Sequence, residues 1–320
     1  MSRAQNGTVG RSVAVRVPAT SANLGPGFDT LGLALSLYDQ LRVTAVPDPG
    51  VRVSVSGVGE STVSRDETNL VVRSILATFA FVGQPAPGLV LEALNRIPHG
   101  SGLGSSAAAI VSGVMAAQGL LSPTLDLDLD LATMLRIATE LEGHPDNVAP
   151  ALYGGLTIAW TTPDGPHATK LIVHRGVSPL VCVPGYSVPT ALARSLQPST
   201  VSVADAVFNL SRSALLITAL VQSPDLLLPA TEDRLHQDYR AEAMPETHSL
   251  VRMLRESGFA AVVSGAGPSI LVLAENPAQR GAAAELLRRH AEAPWTALPL
   301  AVDFQGATVE AHQVEASLGS

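Results

Sequence analysis

Pro98-His99-Gly100-Ser101-Gly102-Leu103-Gly104-Ser105-Ser106-Ala107-Ala108-Ala109 places three glycines and three serines directly before a run of small residues. Glycine lets a backbone approach an anion with no side chain in the way, and the first N–H groups of a helix have no carbonyl partner of their own. Together with the helix dipole they favour a phosphate at that point, so the chemistry implied is nucleotide binding. Two more turns combine exposed backbone with polar side chains: Thr20-Ser21-Ala22-Asn23-Leu24-Gly25-Pro26-Gly27-Phe28-Asp29 and Ser264-Gly265-Ala266-Gly267-Pro268-Ser269. One such loop alone reads most simply as an ordinary turn. Three in one chain read as a composite site, with Asn23 and Asp29 suited to hydrogen-bond a polar substrate.

The common phosphate loops each make a demand that this chain does not meet. A P-loop needs Gly-Lys-Ser/Thr, and the only lysine of the chain is Lys170, far from the loop. A dinucleotide fingerprint needs its third glycine three residues after the second; here Gly104 follows Gly102 by two. Protein-kinase elements are absent as well. What remains is a glycine-rich helix start with two serines.

The elements that must position these turns follow from length and pattern. With 320 residues the chain is long enough for two domains. Its 20 Lys+Arg against 28 Asp+Glu give a net charge of −8, which argues against a nucleic-acid or anionic-membrane surface and for small-molecule partners. Cys182, the single cysteine, sits in an apolar segment and reads as a buried strand thiol. The eight histidines contain no His-x-x-x-His pair, so a histidine metal site is not expected. No charged-then-apolar leader opens the sequence, and the apolar segments are broken by Gly, Ser or charge, which points to a cytoplasmic protein without a membrane partner.

After a polar tail to about residue 11, alternating Val13, Val15 and Val17 predict a half-buried strand. Further strands are expected over 31–46, 51–55 and 88–94. Helical spacing begins near Thr68, with Leu70, Val71, Ser74, Ile75 and Thr78 on one face, and resumes after the loop with Ala107, Ile110, Val111, Val114 and Met115. Asp126–Asp130 reads as a loop and helix start, followed by a helix to Glu142 with Leu131, Met134, Leu135, Ala138 and Leu141 inward. Tyr153–Trp160 reads as a strand, and Pro163-Asp164-Gly165-Pro166 as the domain boundary. The second half predicts strands at 180–183, 259–263, 269–274 and 298–304, and helices at 203–221, 246–257 and 278–291. That alternation suggests an α+β sandwich with helices on one face.

At Pro18–Asp29, Pro98–Ala109 and Ser264–Ser269, in that order and over nearly the whole stretch from Val13 to Phe304, the sequence resembles the GHMP small-molecule kinases. The resemblance implies an α+β, two-domain fold. Residues 12–165 would form an N-terminal α/β domain resembling the second domain of ribosomal protein S5 and holding the ATP loop; residues 166–310 would form a C-terminal ferredoxin-like α/β sandwich. Ser21–Asp29 together with Glu142-Gly143-His144-Pro145-Asp146-Asn147-Val148-Ala149-Pro150 narrows the implied activity to ATP-dependent phosphorylation of the L-homoserine hydroxyl, a step in threonine synthesis, in a homodimeric protein. Another alcohol substrate, or a non-catalytic amino-acid sensor, are the alternatives.

By the same resemblance the loop from Pro98 to Ala108 cradles the ATP phosphates, above all through Gly102, Gly104, Ser105 and Ser106, and Asn69 helps hold the base. The Ser106 hydroxyl would bind Mg²⁺ with a carboxylate. Helix spacing offers Glu140 or Glu142: Glu142 follows Ala138 by four residues on the inward stripe, where a carboxylate needs a partner, and the resemblance points to the same residue. Asn23, Asp29, His144, Asp146 and Asn147 would line the substrate pocket, with Arg194 and Arg240 matched to a carboxylate by their forked geometry. Taken alone, each arginine would pass as a solvated charge and His144 as a helix-end histidine. Asp29 or Asp146 would orient the hydroxyl, with transfer driven by positioning and electrostatics.

Overall fold

Two long strands open the fold in this computed structural model, which describes residues 5–125 and 129–313. After a one-turn helix, α1 (Gln5–Thr8), β1 (Arg11–Asn23) and β2 (Gly27–Val46) run antiparallel around the turn that carries Leu24–Pro26. Val13, Val15 and Val17 are buried while Ala14 and Arg16 are partly exposed, as alternation requires. β3 (Val51–Gly57) and β4 (Gly88–Asn95) pair in parallel, with the crossover helix α2 (Leu70–Phe81) between them. The serine-rich run then becomes α3 (Ser105–Leu125), buried from Ala107 through Leu121 at almost every position. Next come α4 (Leu131–Glu142), α5 (Pro145–Tyr153) and the hairpin β5 (Leu156–Thr162) and β6 (Gly165–Leu171), which joins the sheet at β2.

The second unit holds β7 (Ser178–Pro184), α6 (Thr190–Ser195), α7 (Val203–Val221), α8 (Leu227–Ala230) and α9 (Pro245–Glu256). It closes with β8 (Ala261–Val263), β9 (Ile270–Ala274), α10 (Pro277–His290) and β10 (Trp295–Pro299). Its sheet has the order β10-β7-β9-β8, all antiparallel, which is the split βαβ arrangement of a ferredoxin-like sandwich. Cys182 lies fully buried in β7, and burial pushes its thiol up to about 12, so it is the inert strand thiol that the sequence suggests.

Several expectations change. Pro163–Pro166 is the β5–β6 hairpin turn within the first sheet; sheet membership changes only between Leu171 and Ser178. A final strand, β11 (Thr308–Gln313), returns to pair with β1, so the first sheet is closed by the last described residues of the chain. The expected strand at 298–304 ends at Pro299, beyond which a bridge from Val302 to Leu35 leads back to the first sheet. Tyr153 ends a helix: Pro145, with its fixed φ, starts α5 and Gly154 stops it, delaying the strand to Leu156. Leu131 is exposed, leaving Met134, Leu135, Ile137 and Ala138 as the inward stripe of α4. Part of the expected tail is α1, and positions 126–128 of the acidic patch lie outside the described residues. Among the described residues two helices reach the length and hydropathy of a membrane span after all; α3 is a core helix, and α7 is mostly exposed.

Candidate active site

Ser105 and Ser106 open α3 with amides that have no carbonyl partner inside the helix. The chain enters through Gly100, Gly102 and Gly104 at φ 61°, 80° and 68°, left-handed residues alternating with ordinary ones, a sequence that turns successive N–H groups into one concavity. At two of the three, closeness as well as φ requires glycine. A Cβ on Gly102 would stand 2.1 Å from the Ser264 carbonyl oxygen, and one on Gly104 2.0 Å from Thr20 Oγ1. All three turns therefore meet at the loop. Ser264 Oγ donates to the Gly102 carbonyl (2.7 Å), the Ser269 amide to Ser101 O (3.2 Å), the Thr20 amide to Leu103 O (3.1 Å) and the Gly265 amide to Ala22 O (3.1 Å).

A polar cavity of about 300 Å³ lies in front of the loop. Its floor is Gly100–Ser106; its walls include Glu142, His144, Asp146, Asn147, Arg194 and Arg240, with Asn23, Thr190, Gly265 and Ala266 at the margin. α4 delivers Glu142 at its last residue, and Gly143 turns the chain straight into α5, so the starts of α3 and α5 both face the cavity. Two positive helix ends in one cup suit an anion. Ser106 Oγ donates to Glu142 Oε1 at 2.5 Å. Glu140 faces away and pairs with Arg136 at the surface. A hydroxyl and a carboxylate converging beside free amides form a small, hard oxygen set, the kind that Mg²⁺ shares with phosphate oxygens. Among the described residues no cluster of three or more acidic, histidine or cysteine side chains competes for a metal.

At the opposite wall Arg194 grips Asp29 with two bonds, 2.9 and 3.2 Å. Asp29 stands behind Arg194 and does not itself line the cavity. It is held at φ 52° by its amide, which donates to Asn23 Oδ1 (3.0 Å), while Asn23 Nδ2 donates to Gly265 O (2.8 Å). Asp146 is buried and bonds to His144 Nδ1. Burial disfavours the His144 cation, but the Asp146 carboxylate outweighs it and the imidazole is held above its usual range. Asn147 Oδ1 accepts from Thr20 Oγ1 (2.8 Å), tying α5 to β1 beneath Gly104. Arg240 is 2% exposed; Nη1 donates to Gly265 O (3.1 Å), and Nε has no partner. A buried guanidinium lining the cavity supplies positive charge that suits an anionic ligand there.

A second cavity of about 300 Å³, largely apolar, lies on the other side of the loop and shares Gly100, Ser105 and Ser106 with the first. Val53, Val55, Val63, Leu70 and Leu91 line it, with His99, Asn95 and Asn69 at its polar edge. Asn69 caps α2, accepting from the Val71 amide (2.9 Å) and donating to Ser64 O (2.7 Å), which leaves one amide hydrogen for a ligand. The rest of the expected loop set divides by role. Pro98 lines neither cavity but its carbonyl accepts from Ser101 Oγ (2.7 Å), Leu103 is buried beneath the cavity floor, and Ala107 and Ala108 are fully buried in the first turn of α3.

Sequence reasoning misses the groups that hold these pieces. Asp39 Oδ1 accepts from the amides of Arg96 (2.6 Å) and Ile97 (2.9 Å), fixing the approach to the loop; burial pushes its carboxyl up against those bonds. His236 is fully buried, donates Nε2–H to Gly25 O (2.7 Å) and stacks on Phe28, and burial lowers its imidazole. Asp233, pulled down by His236 and three backbone amides against the effect of burial, anchors that segment and accepts from Asn209, which also donates to Pro26 O. Only the Asp233–His236 spacing within one polar stretch hints at this support in the sequence.

Comparison with known proteins identifies the family. The model of the GHMP kinases N terminal domain matches residues 69–155 and that of the GHMP kinases C terminal matches residues 216–293. The chain is 68% identical over 301 residues to a homoserine kinase of Clavibacter michiganensis, covering 94% of this chain and 95% of that one. It is 49% identical to the homoserine kinase of Streptomyces avermitilis, covering 93% and 95%. The crystal structure of homoserine kinase from Cytophaga hutchinsonii superposes with a TM-score of 0.83 at 29% identity, covering 93% of this chain and 97% of that one. A glycine-lined helix start, two further turns closing on it and this similarity over almost its full length place the chain in the GHMP kinases, within the homoserine kinase family.

Proposed function

We propose that the protein transfers the γ-phosphoryl group of ATP to the side-chain hydroxyl of L-homoserine, giving O-phospho-L-homoserine for threonine synthesis. The observation that carries this reading is that one loop, Gly100–Ser106, forms both the edge of an apolar slot and the floor of a polar cup. A nucleotide has that division itself: a flat base for the slot, phosphates for the amides of Ser105 and Ser106, and a terminal phosphoryl group directed into the cup. The cup is scaled and charged for a small amino acid. Arg194 and Arg240 take its carboxylate, Asp146 with His144 accepts the hydrogen bond of the hydroxyl, and Asp29 and Asn23 hold Arg194 and the turn in place.

Phosphoryl transfer has a loose transition state, so positioning and charge neutralisation suffice without a lysine or a strong base. Lys170 is engaged with the Phe304 carbonyl and lines neither cavity. Ser106 and Glu142 would hold Mg²⁺, which when bound neutralises charge on the β and γ phosphates. The acidic net charge of −8 and the small cavities fit an enzyme of a small metabolite, and the family resemblance extends the reading to a cytoplasmic homodimer. A coupled ADP-release assay across L-homoserine, mevalonate and shikimate tests the reading. Release with homoserine alone supports it; release that ignores homoserine, or that follows another alcohol, overturns it.

A further inference from the structure

α7 turns a whole face to solvent that no described residue covers. Val203, Val207 and Leu210 are 80%, 59% and 70% exposed, and Ala214 and Val221 continue the same side. With the half-buried Ile217 they are spaced four, three, four, three and four residues apart along the 19-residue helix. That is the interval of a seam made for a second helix. Small side chains, Ala204, Ser211 and Thr218, flank it and permit close approach. The only charges of the helix, Asp205 and Arg212, pair with Arg234 and Glu232 of the same unit.

We propose that this face is the contact between two copies of the chain, α7 packing on α7 about a two-fold axis. The inference rests on the homodimer proposed above and names its surface. A two-fold contact requires a patch complementary to itself, and an uncharged seam with alternating four and three spacing meets that condition. A lipid surface would call for basic residues around the apolar face, and none is present on this side of α7. A charged partner finds nothing to pair with. The helix is about 28 Å long at 1.5 Å per residue, and covering its exposed side would bury on the order of 600 Å² per copy, the lower end of a stable dimer. The contact also reaches the active site, since Asn209 on the inner face of α7 donates to Pro26 in the substrate turn.

Sedimentation and light scattering on the full chain test the proposal with Leu210→Asp and with Ser211→Cys. Ser211 lies next to the midpoint of α7, where the two copies meet themselves in either helix orientation, and the one native cysteine is buried. The expected result is a wild-type mass of two 33.1 kDa chains, a Leu210→Asp variant at half that mass with native circular dichroism, and a Ser211→Cys variant that forms a covalent dimer on oxidation. A dimer that survives Leu210→Asp and gives no cross-link through position 211 overturns the surface while leaving the homodimer standing. A monomeric wild type overturns both. ADP release by the wild type, measured separately, decides the catalytic reading.

Discussion

Replacing Arg194 with Gln separates what this residue does for folding from what it does for the substrate. Its pair with Asp29 is bidentate, yet the two side chains are 36% and 38% exposed. At that exposure solvent screens the pair to about 0–1 kcal/mol, and Asp29 left alone is not a buried bare charge. The thermal midpoint of Arg194→Gln should therefore fall by no more than about 4 °C. In the proposed complex the same guanidinium would face the substrate carboxylate in the cup, where losing one partner of a hydrogen-bonded charge pair costs about 2–5 kcal/mol. That converts to a fall in kcat/KM for homoserine of about 30-fold to several thousand-fold. The KM for ATP should stay unchanged, because Arg194 is absent from the apolar slot. A coupled ADP assay with homoserine and with 3-aminopropan-1-ol, which lacks the carboxylate, completes the test: the wild type discriminates between them and the variant largely does not. A drop of less than fivefold in kcat/KM with discrimination intact would refute the assignment, as would a loss of stability large enough to explain the kinetics.

Glu142→Gln should lower kcat by about a hundredfold or more and raise the Mg²⁺ concentration needed for half-maximal rate, whereas Glu140→Gln, whose side chain is a surface partner of Arg136, should leave both within twofold. The raised imidazole of His144 makes its bond to Asp146 a stabilising contact that is complete below the ordinary histidine value and lost as pH rises through the raised one. The difference in thermal midpoint between wild type and His144→Gln should accordingly be wide at about pH 5.5 and shrink toward about pH 9; a gap that widens with pH would contradict the pairing. Gly104→Ala forces a side chain into a left-handed position and against Thr20 Oγ1, which should cost about 2–4 kcal/mol in urea unfolding and strip ATP binding from whatever remains folded.

The parts of this molecule that are legible in sequence are those whose signal is local. A glycine loop before small residues announces α3 and its free amides, and helix spacing together with the family resemblance sets Glu142 ahead of Glu140; Glu142 accepts from Ser106 Oγ, and Glu140 pairs with Arg136 at the surface. The three turns could be read as one site because each exposes backbone for no structural reason of its own. The rest depends on partners far along the chain. Asp39 looks like a surface residue of β2 until two amides 57 and 58 positions later bond to it. β11 is a short polar strand whose reason to form is an edge of β1 nearly 300 residues away, so neither its existence nor its return across the boundary leaves a periodic trace. Tyr153 was readable as strand because short apolar runs fit both periods, and only Pro145 and Gly154 as helix punctuation resolve it.

In the reaction proposed above, the loop from Gly100 to Ser106 holds phosphates on one side and the acceptor sits in the cup on the other. A crystal structure of the protein with a non-hydrolysable ATP analogue, Mg²⁺ and L-homoserine tests it most directly. Phosphate oxygens should lie on the amides of Ser105 and Ser106, the metal between Ser106 and Glu142, the homoserine carboxylate on Arg194 and Arg240, and its hydroxyl beside Asp146 facing the terminal phosphorus. Phosphates bound away from the α3 start, or homoserine bound outside the cup, would contradict it.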